Sequence, residues 1–133
     1  MAALVRLHQQ SARRVVGLMS GTPLDGVAAV LARPDGTGPA LSMEQEAFVH
    51  RSYPSALRAL LERNSAPAAS SVRDLTRLNV RLADAYADAV DAVLDAAGTT
   101  RDALDLVGSH GQTVQHLPDP ADCAGRDVRA TLQ

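Results

Sequence analysis

Lysine is absent: all thirteen basic residues of this 133-residue chain are arginines. A Walker-type phosphate loop depends on its lysine, so that way of holding a nucleotide is excluded. Any phosphate would be held by backbone N–H groups, hydroxyls, arginine or a metal ion. Tryptophan is absent too, and the only aromatics are Phe48, Tyr53 and Tyr86. The core must therefore be built from Leu, Val and Ala, which gives one fine-grained domain of marginal stability. A single cysteine, Cys123, excludes an internal disulfide framework and fits a reducing compartment. It also leaves a thiolate zinc site one cysteine short. No apolar run is long enough to span a membrane. A net charge of −2 points neither to nucleic acid nor to an anionic membrane as partner. The start of the chain is basic but lacks the apolar stretch of a secretory signal, so residues 1–13 read as a flexible tail and 14–133 as the folded unit.

The apolar pattern is mixed. Val15 to Met19 reads as a short buried strand near 14–19, and Val27 to Ala32 as a second near 26–32. Between them Ser20-Gly21-Thr22-Pro23-Leu24-Asp25-Gly26 is a turn. A weaker third strand is expected near 40–50, completing an antiparallel meander. Pro54 is placed to open a short helix whose apolar stripe is Leu57, Leu60 and Leu61. Ser71-Val72-Arg73-Asp74 has the form of a capping box, and a long helix should follow it to about Ala97, stopped by Gly98. This helix carries Arg73, Arg77 and Arg81 early and Asp84, Asp88, Asp91 and Asp95 late, against the preference of the macrodipole. Burial of its apolar face must supply most of its stability. Leu104 to Val107 reads as a strand parallel to the first, followed by a polar loop from Gly108 to His116. The stretch from Pro118 to Arg129 reads as loop, and Thr131-Leu132-Gln133 as the start of another strand.

Two constellations carry chemistry. In Gly17 to Val27 a strand enters a tight turn rich in Gly and hydroxyls and leaves as an antiparallel strand. Such a turn lets a phosphate approach the backbone and aims several N–H groups at one point. Asp25 is positioned to hold magnesium, through water. An ordinary hairpin turn uses the same residues. In Gly108 to His116, His110, Gln112 and Thr113 offer donors and acceptors suited to a polyhydroxylated ligand just past a strand end. A polar turn satisfying its own backbone has the same composition. His110 and His116 lack a carboxylate pattern that would make them a metal pair.

The stretch GLMSGTPLDGV resembles the N-terminal signature of the anhydro-N-acetylmuramic acid kinases, usually GLMSGTSLDGVD, and GSHGQTVQHLP followed by TLQ resembles the same family's second signature. Tyr53-Pro54 with Leu57-Arg58, and LTRLNVRLADAYADAV from Leu75, are also similar to the family, so the resemblance runs from Val15 to Gln133. It implies an α/β fold: the N-terminal lobe of an actin-like (ribonuclease H-like) sugar kinase, here incomplete. It implies ATP with magnesium as cofactors and an amino sugar as the small-molecule partner. The family opens 1,6-anhydro-N-acetylmuramic acid with water and phosphorylates O6, recycling peptidoglycan in the bacterial cytoplasm. Carried onto this sequence, the ATP-phosphate loop is Ser20, Gly21, Thr22, Pro23, Leu24, Asp25, Gly26, Val27 and Ala28, and the sugar side is His110, Gly111, Gln112 and Thr113.

Three departures matter. Pro23 stands where the family has Ser and removes both a hydroxyl and an N–H. Ala28 stands where the family has a second Asp. The aspartate expected to activate water, and the second lobe, would lie beyond Gln133, so no catalytic residue is assigned within these 133 residues. The chain alone is therefore expected to be inactive and to associate into homodimers or aggregates through the lobe surface it leaves uncovered. A non-catalytic sugar- or partner-binding module, and another actin-like ATPase with a different acceptor, remain as alternative readings.

Overall fold

The computed structural model describes residues 13–21 and 23–133. All but the last residue of the expected tail, together with Thr22, lies outside the described residues. Three strands form the meander: β1 (Val15–Ser20), β2 (Gly26–Asp35) and β3 (Ser42–Ser52). Helices α1 (Ser55–Ser65) and α2 (Val72–Ala96) follow, then β4 (Leu106–Gln112) and a hairpin of β5 (Gln115–Cys123) and β6 (Arg126–Leu132). The main sheet has the order β3-β2-β1-β4. β1 pairs antiparallel with β2 and parallel with β4, bringing Gly17 beside Gly108 and Ser20 beside Gln112. This is the mixed sheet expected of an incomplete actin-like lobe.

Alternation along the strands decides which face the helices cover. Val16 and Leu18 of β1, and Val27, Ala29 and Leu31 of β2, turn to one side and are buried. Against them pack Leu57 and Leu61 of α1 and Leu78, Ala89, Val93 and Leu94 of α2. The Ser71 hydroxyl caps α2 by accepting the Asp74 N–H at 3.1 Å, and Gly98 follows the helix at φ +62°. Several of the unfavourably ordered charges of α2 find local partners: Arg77 pairs with Asp74 (3.7 Å), Arg81 with Asp84 (3.1 Å) and Asp91 with Arg101 (2.6 Å). Pro54 is the residue before α1 rather than its first residue.

Two sequence expectations are corrected. The strand anticipated at Leu104 to Val107 starts at Leu106 and continues to Gln112, so Gly108 to Gln112 is ladder, not loop. Residues 101–103 form a 3₁₀ turn, and Asp105 N–H to Arg14 O (3.0 Å) begins the pairing. Gly108, Ser109 and His110 made this strand look like a loop, and its pairing with β1 shows that they are ladder. Pro118 to Arg129 is likewise not loop but most of the β5–β6 hairpin. Pro118 and Pro120 masked it, because proline is normally evidence against a strand. Both lie between Leu117 and Ala121, where the pairing register shifts. The turn residues Ala124 and Gly125 both have positive φ (53° and 81°), as a tight hairpin turn with strand-matching twist requires. No helix among the described residues is long and apolar enough to cross a membrane.

Candidate functional site

The β1–β2 turn is held from both ends. Leu24 N–H donates to Gly21 O at 3.2 Å, with Leu24 itself in the left-handed region (φ 53°). Tyr53 N–H donates to Asp25 O at 2.9 Å, tying the turn to the end of β3. Gly26 admits no side chain: a Cβ there would collide with the Arg51 and Ser52 backbone of β3. Pro23 is exposed, and Asp25 is exposed with its carboxylate 3.8 Å from His50 Nε2. Val27 points away from the turn into the core, whereas Ala28 lies on the uncovered face of the sheet.

The second segment lies beside this turn because β4 pairs with β1. His110 is exposed and lines a cavity of about 410 Å³ on the uncovered face with Gly17, Met19, Ala28, Val30 and Phe48. Gly111 has φ +80° and donates its N–H to Ser109 Oγ at 3.2 Å. Thr113 Oγ accepts from Gln133 Nε2 at 3.3 Å. Gln112 differs from its neighbours: it is 2% exposed and turned inward. Its Oε1 contacts the Ser20 hydroxyl and stands 3.4 Å from the Tyr53 hydroxyl. Its Nε2 donates to Thr113 O at 3.1 Å and to Gly21 O at 3.4 Å.

Ser20 is also buried, at 3% exposure. Its hydroxyl donates to Gly26 O at 2.7 Å and accepts from the Tyr53 hydroxyl at 2.9 Å. It is thus committed to the interior; among the described residues of the turn, Pro23 and Asp25 are exposed. Tyr53 and Tyr86 are the residues that sequence reasoning missed. In the sequence Tyr53 stands out only as one of three aromatics and as part of the Tyr53-Pro54 resemblance. Burial raises the Tyr53 phenol above its ordinary 10.0 against the opposing effect of the Ser20 hydrogen bond. Burial, with Tyr53 alongside, pushes Tyr86 well above the usual range. The Tyr86 hydroxyl is near Tyr53 and Ser20 but is not aligned for a hydrogen bond with any described residue. Two tyrosines in a chain with one other aromatic were the available signal, but one sequence does not show which strand ends meet there. Among the described residues no cluster of three His, Cys, Asp or Glu side chains is placed to hold a metal; Asp25 is the carboxylate at the turn.

The family model for anhydro-N-acetylmuramic acid kinase matches residues 13–132. Similar curated relatives carry that same name. One from Salinibacter ruber is 63% identical over 133 residues, covering all of this chain and 34% of the relative. One from Caldanaerobacter subterraneus subsp. tengcongensis is 35% identical over the same span and share. One from Streptomyces coelicolor is 41% identical over 121 residues, or 90% of this chain and 29% of the relative. The chain thus spans about a third of the length of the relatives it matches. A family match over nearly every residue, on a mixed sheet that sets both signatures side by side, means that the chain belongs to the anhydro-N-acetylmuramic acid kinase family.

Proposed function

We propose that these 133 residues supply the phosphate-binding turn and part of the sugar side of a kinase that acts on 1,6-anhydro-N-acetylmuramic acid in the bacterial cytoplasm. In that reaction water opens the anhydro ring and O6 takes the γ-phosphoryl group of ATP. The observation that supports the reading is the β1–β4 pairing, in which Ser20, where β1 enters the turn, lies opposite Gln112 at the end of β4. Donor and acceptor must meet within one site, and such positioning supplies much of the catalysis of phosphoryl transfer.

Gly21 and Asp25 would face the phosphates, and His110, Gly111 and Thr113 the sugar. Magnesium fits this residue set: it takes one or two carboxylates plus phosphate oxygens and keeps its waters, so an exposed Asp25 suffices without a protein cage. When bound, the ion neutralises charge on the phosphates. Pro23 supplies no N–H to them, which weakens the cradle by about 1–3 kcal/mol relative to a donor. No residue assigned here is a general base, a contribution of ~10²–10⁴ in rate.

The chain is therefore expected to bind magnesium-ATP weakly and to make no 6-phosphate by itself. Isothermal titration with magnesium-ATP, followed by incubation with 1,6-anhydro-N-acetylmuramic acid and product analysis, tests both halves. Turnover at ordinary kinase rates would overturn the assignment of the base outside these residues. Failure to bind nucleotide, even after Pro23→Ser, would sink the phosphate-turn reading.

A further inference from the structure

We propose that Tyr53 and Gln112 are positioning residues: together they set the shape of the β1–β2 turn and tie it to the second signature. The proposal rests on the phosphate-turn reading above. Its basis is a buried network in which the two hydroxyl protons of Ser20 and Tyr53 are shared among three acceptors, Gln112 Oε1, Ser20 Oγ and Gly26 O. The two protons of the Gln112 amide go to two main-chain carbonyls, Gly21 O at one end of the turn and Thr113 O beyond β4. Its Oε1 faces two hydroxyls, those of Ser20 and Tyr53. The amide orientation follows from the two carbonyls, since a flipped group would set Oε1 against Gly21 O and Thr113 O, two acceptors with no proton between them. Ser20 passes the connection on to Gly26 O, at the other end of the turn. Tyr53 holds the turn twice, through its hydroxyl to Ser20 and through its N–H to Asp25 O. Both ends of the turn, the last residue of β1 and the end of β4 thus converge on one amide and one phenol.

None of these groups is exposed enough to act as a main ligand contact: Ser20 and Gln112 are 3% and 2% exposed, and Tyr53 is 6% exposed. Removing any one leaves the others as buried, unmatched polar atoms, and the turn then relaxes to satisfy them. A phosphate cradle made of backbone N–H groups, with no lysine to compensate, depends on the shape of that backbone more than on any side chain. Because the same amide holds Thr113, a change at the nucleotide side is felt on the sugar side.

Amide hydrogen exchange on the purified chain, with magnesium-ATP affinity measured in parallel, tests this. Tyr53→Phe removes only the hydroxyl; Gln112→Met keeps the volume and removes the amide. The Leu24 amide reports on the turn and the Val93 amide, inside α2, reports on the fold. In both variants Leu24 exchange should accelerate roughly tenfold more than Val93 exchange. Magnesium-ATP affinity should fall about 5- to 10-fold in protein that remains folded. Equal acceleration at both amides would mean a purely structural role and would overturn the proposal, as would unchanged Leu24 exchange or unchanged affinity in folded variants. If the unaltered chain binds no nucleotide, the phosphate-turn reading fails, and the exchange ratio still decides whether Tyr53 and Gln112 shape the turn.

Discussion

The two faces of the main sheet are built from the same four strands but are finished differently. On one, Val16, Leu18, Val27, Ala29 and Leu31 are sealed under α1 and α2. On the other, Met19 and Phe48 are each 57% exposed, beside a cavity floored by Gly17 and Gly108. The covered face carries branched residues that interlock with helices. The uncovered one is lined by glycines, an alanine and flexible or aromatic side chains that leave room above the strands. Stability should therefore concentrate on the first face and association behaviour on the second, and substitutions on either side separate the two.

The largest effect is expected at the covered face. Leu31→Ala removes a side chain with no exposed surface at the centre of the cluster, and should destabilise the chain by about 2–5 kcal/mol in urea denaturation. A loss below about 1 kcal/mol would mean that the helices do not hold this face tightly. Next comes the helix that covers it. Ser71→Ala removes the hydroxyl that accepts the Asp74 N–H and should cost about 1 kcal/mol, with Ser71→Asp restoring it.

A smaller, pH-dependent effect belongs to the ion pairs between β2, β3 and the start of β1. Glu46 bonds Arg14 and Arg33, and its side chain is only 14% exposed. Burial works to raise its carboxyl, but the two guanidinium groups outweigh this and hold it below the ordinary 4.5. A carboxylate depressed in the folded state contributes stability that is fully present above its unfolded value and is lost as pH falls through the folded one. Glu46→Gln should thus cost up to about 1 kcal/mol at pH 7 and make little difference in strong acid, read as melting temperature against pH. A constant deficit across the range would refute the ion-pair account.

The smallest stability change is expected on the open face. Phe48→Ser should alter unfolding free energy by about 0.5 kcal/mol or less. In sedimentation, however, the unaltered chain should associate through this apolar face, and Phe48→Ser should shift it toward monomer. A chain that is monomeric before substitution would remove the difference in association between the two faces.

Much of this was legible along the chain. Periodicity and caps marked the meander and both helices, because each signal is local: a serine three residues before an aspartate, or a glycine after the last apolar turn, acts on its immediate neighbours. The hairpin was not legible, since Pro118 and Pro120 contradict strand character unless the register shift between Leu117 and Ala121 is already known. β4 was misplaced because Gly108, Ser109 and His110 read locally as a loop, and only the long-range pairing with β1 makes them ladder. Of the residues picked for the site, Thr22 lies outside the described residues, Val27 turns into the core and Ser20 and Gln112 turn inward, while Pro23, Asp25 and His110 stay exposed. Side-chain direction at a strand end depends on what the next strand offers.

The sequence by itself determined the turn at Gly21 to Gly26, the absence of a lysine clamp and the two helices, because backbone freedom, charge and amphipathic spacing are written in consecutive residues. Only the tertiary structure decided that Ser20, Tyr53 and Gln112 form one network. Their partners lie 33 to 92 positions apart, and a hydrogen bond between buried groups exists only once the sheet has brought them within reach and excluded the water that would otherwise satisfy each of them separately.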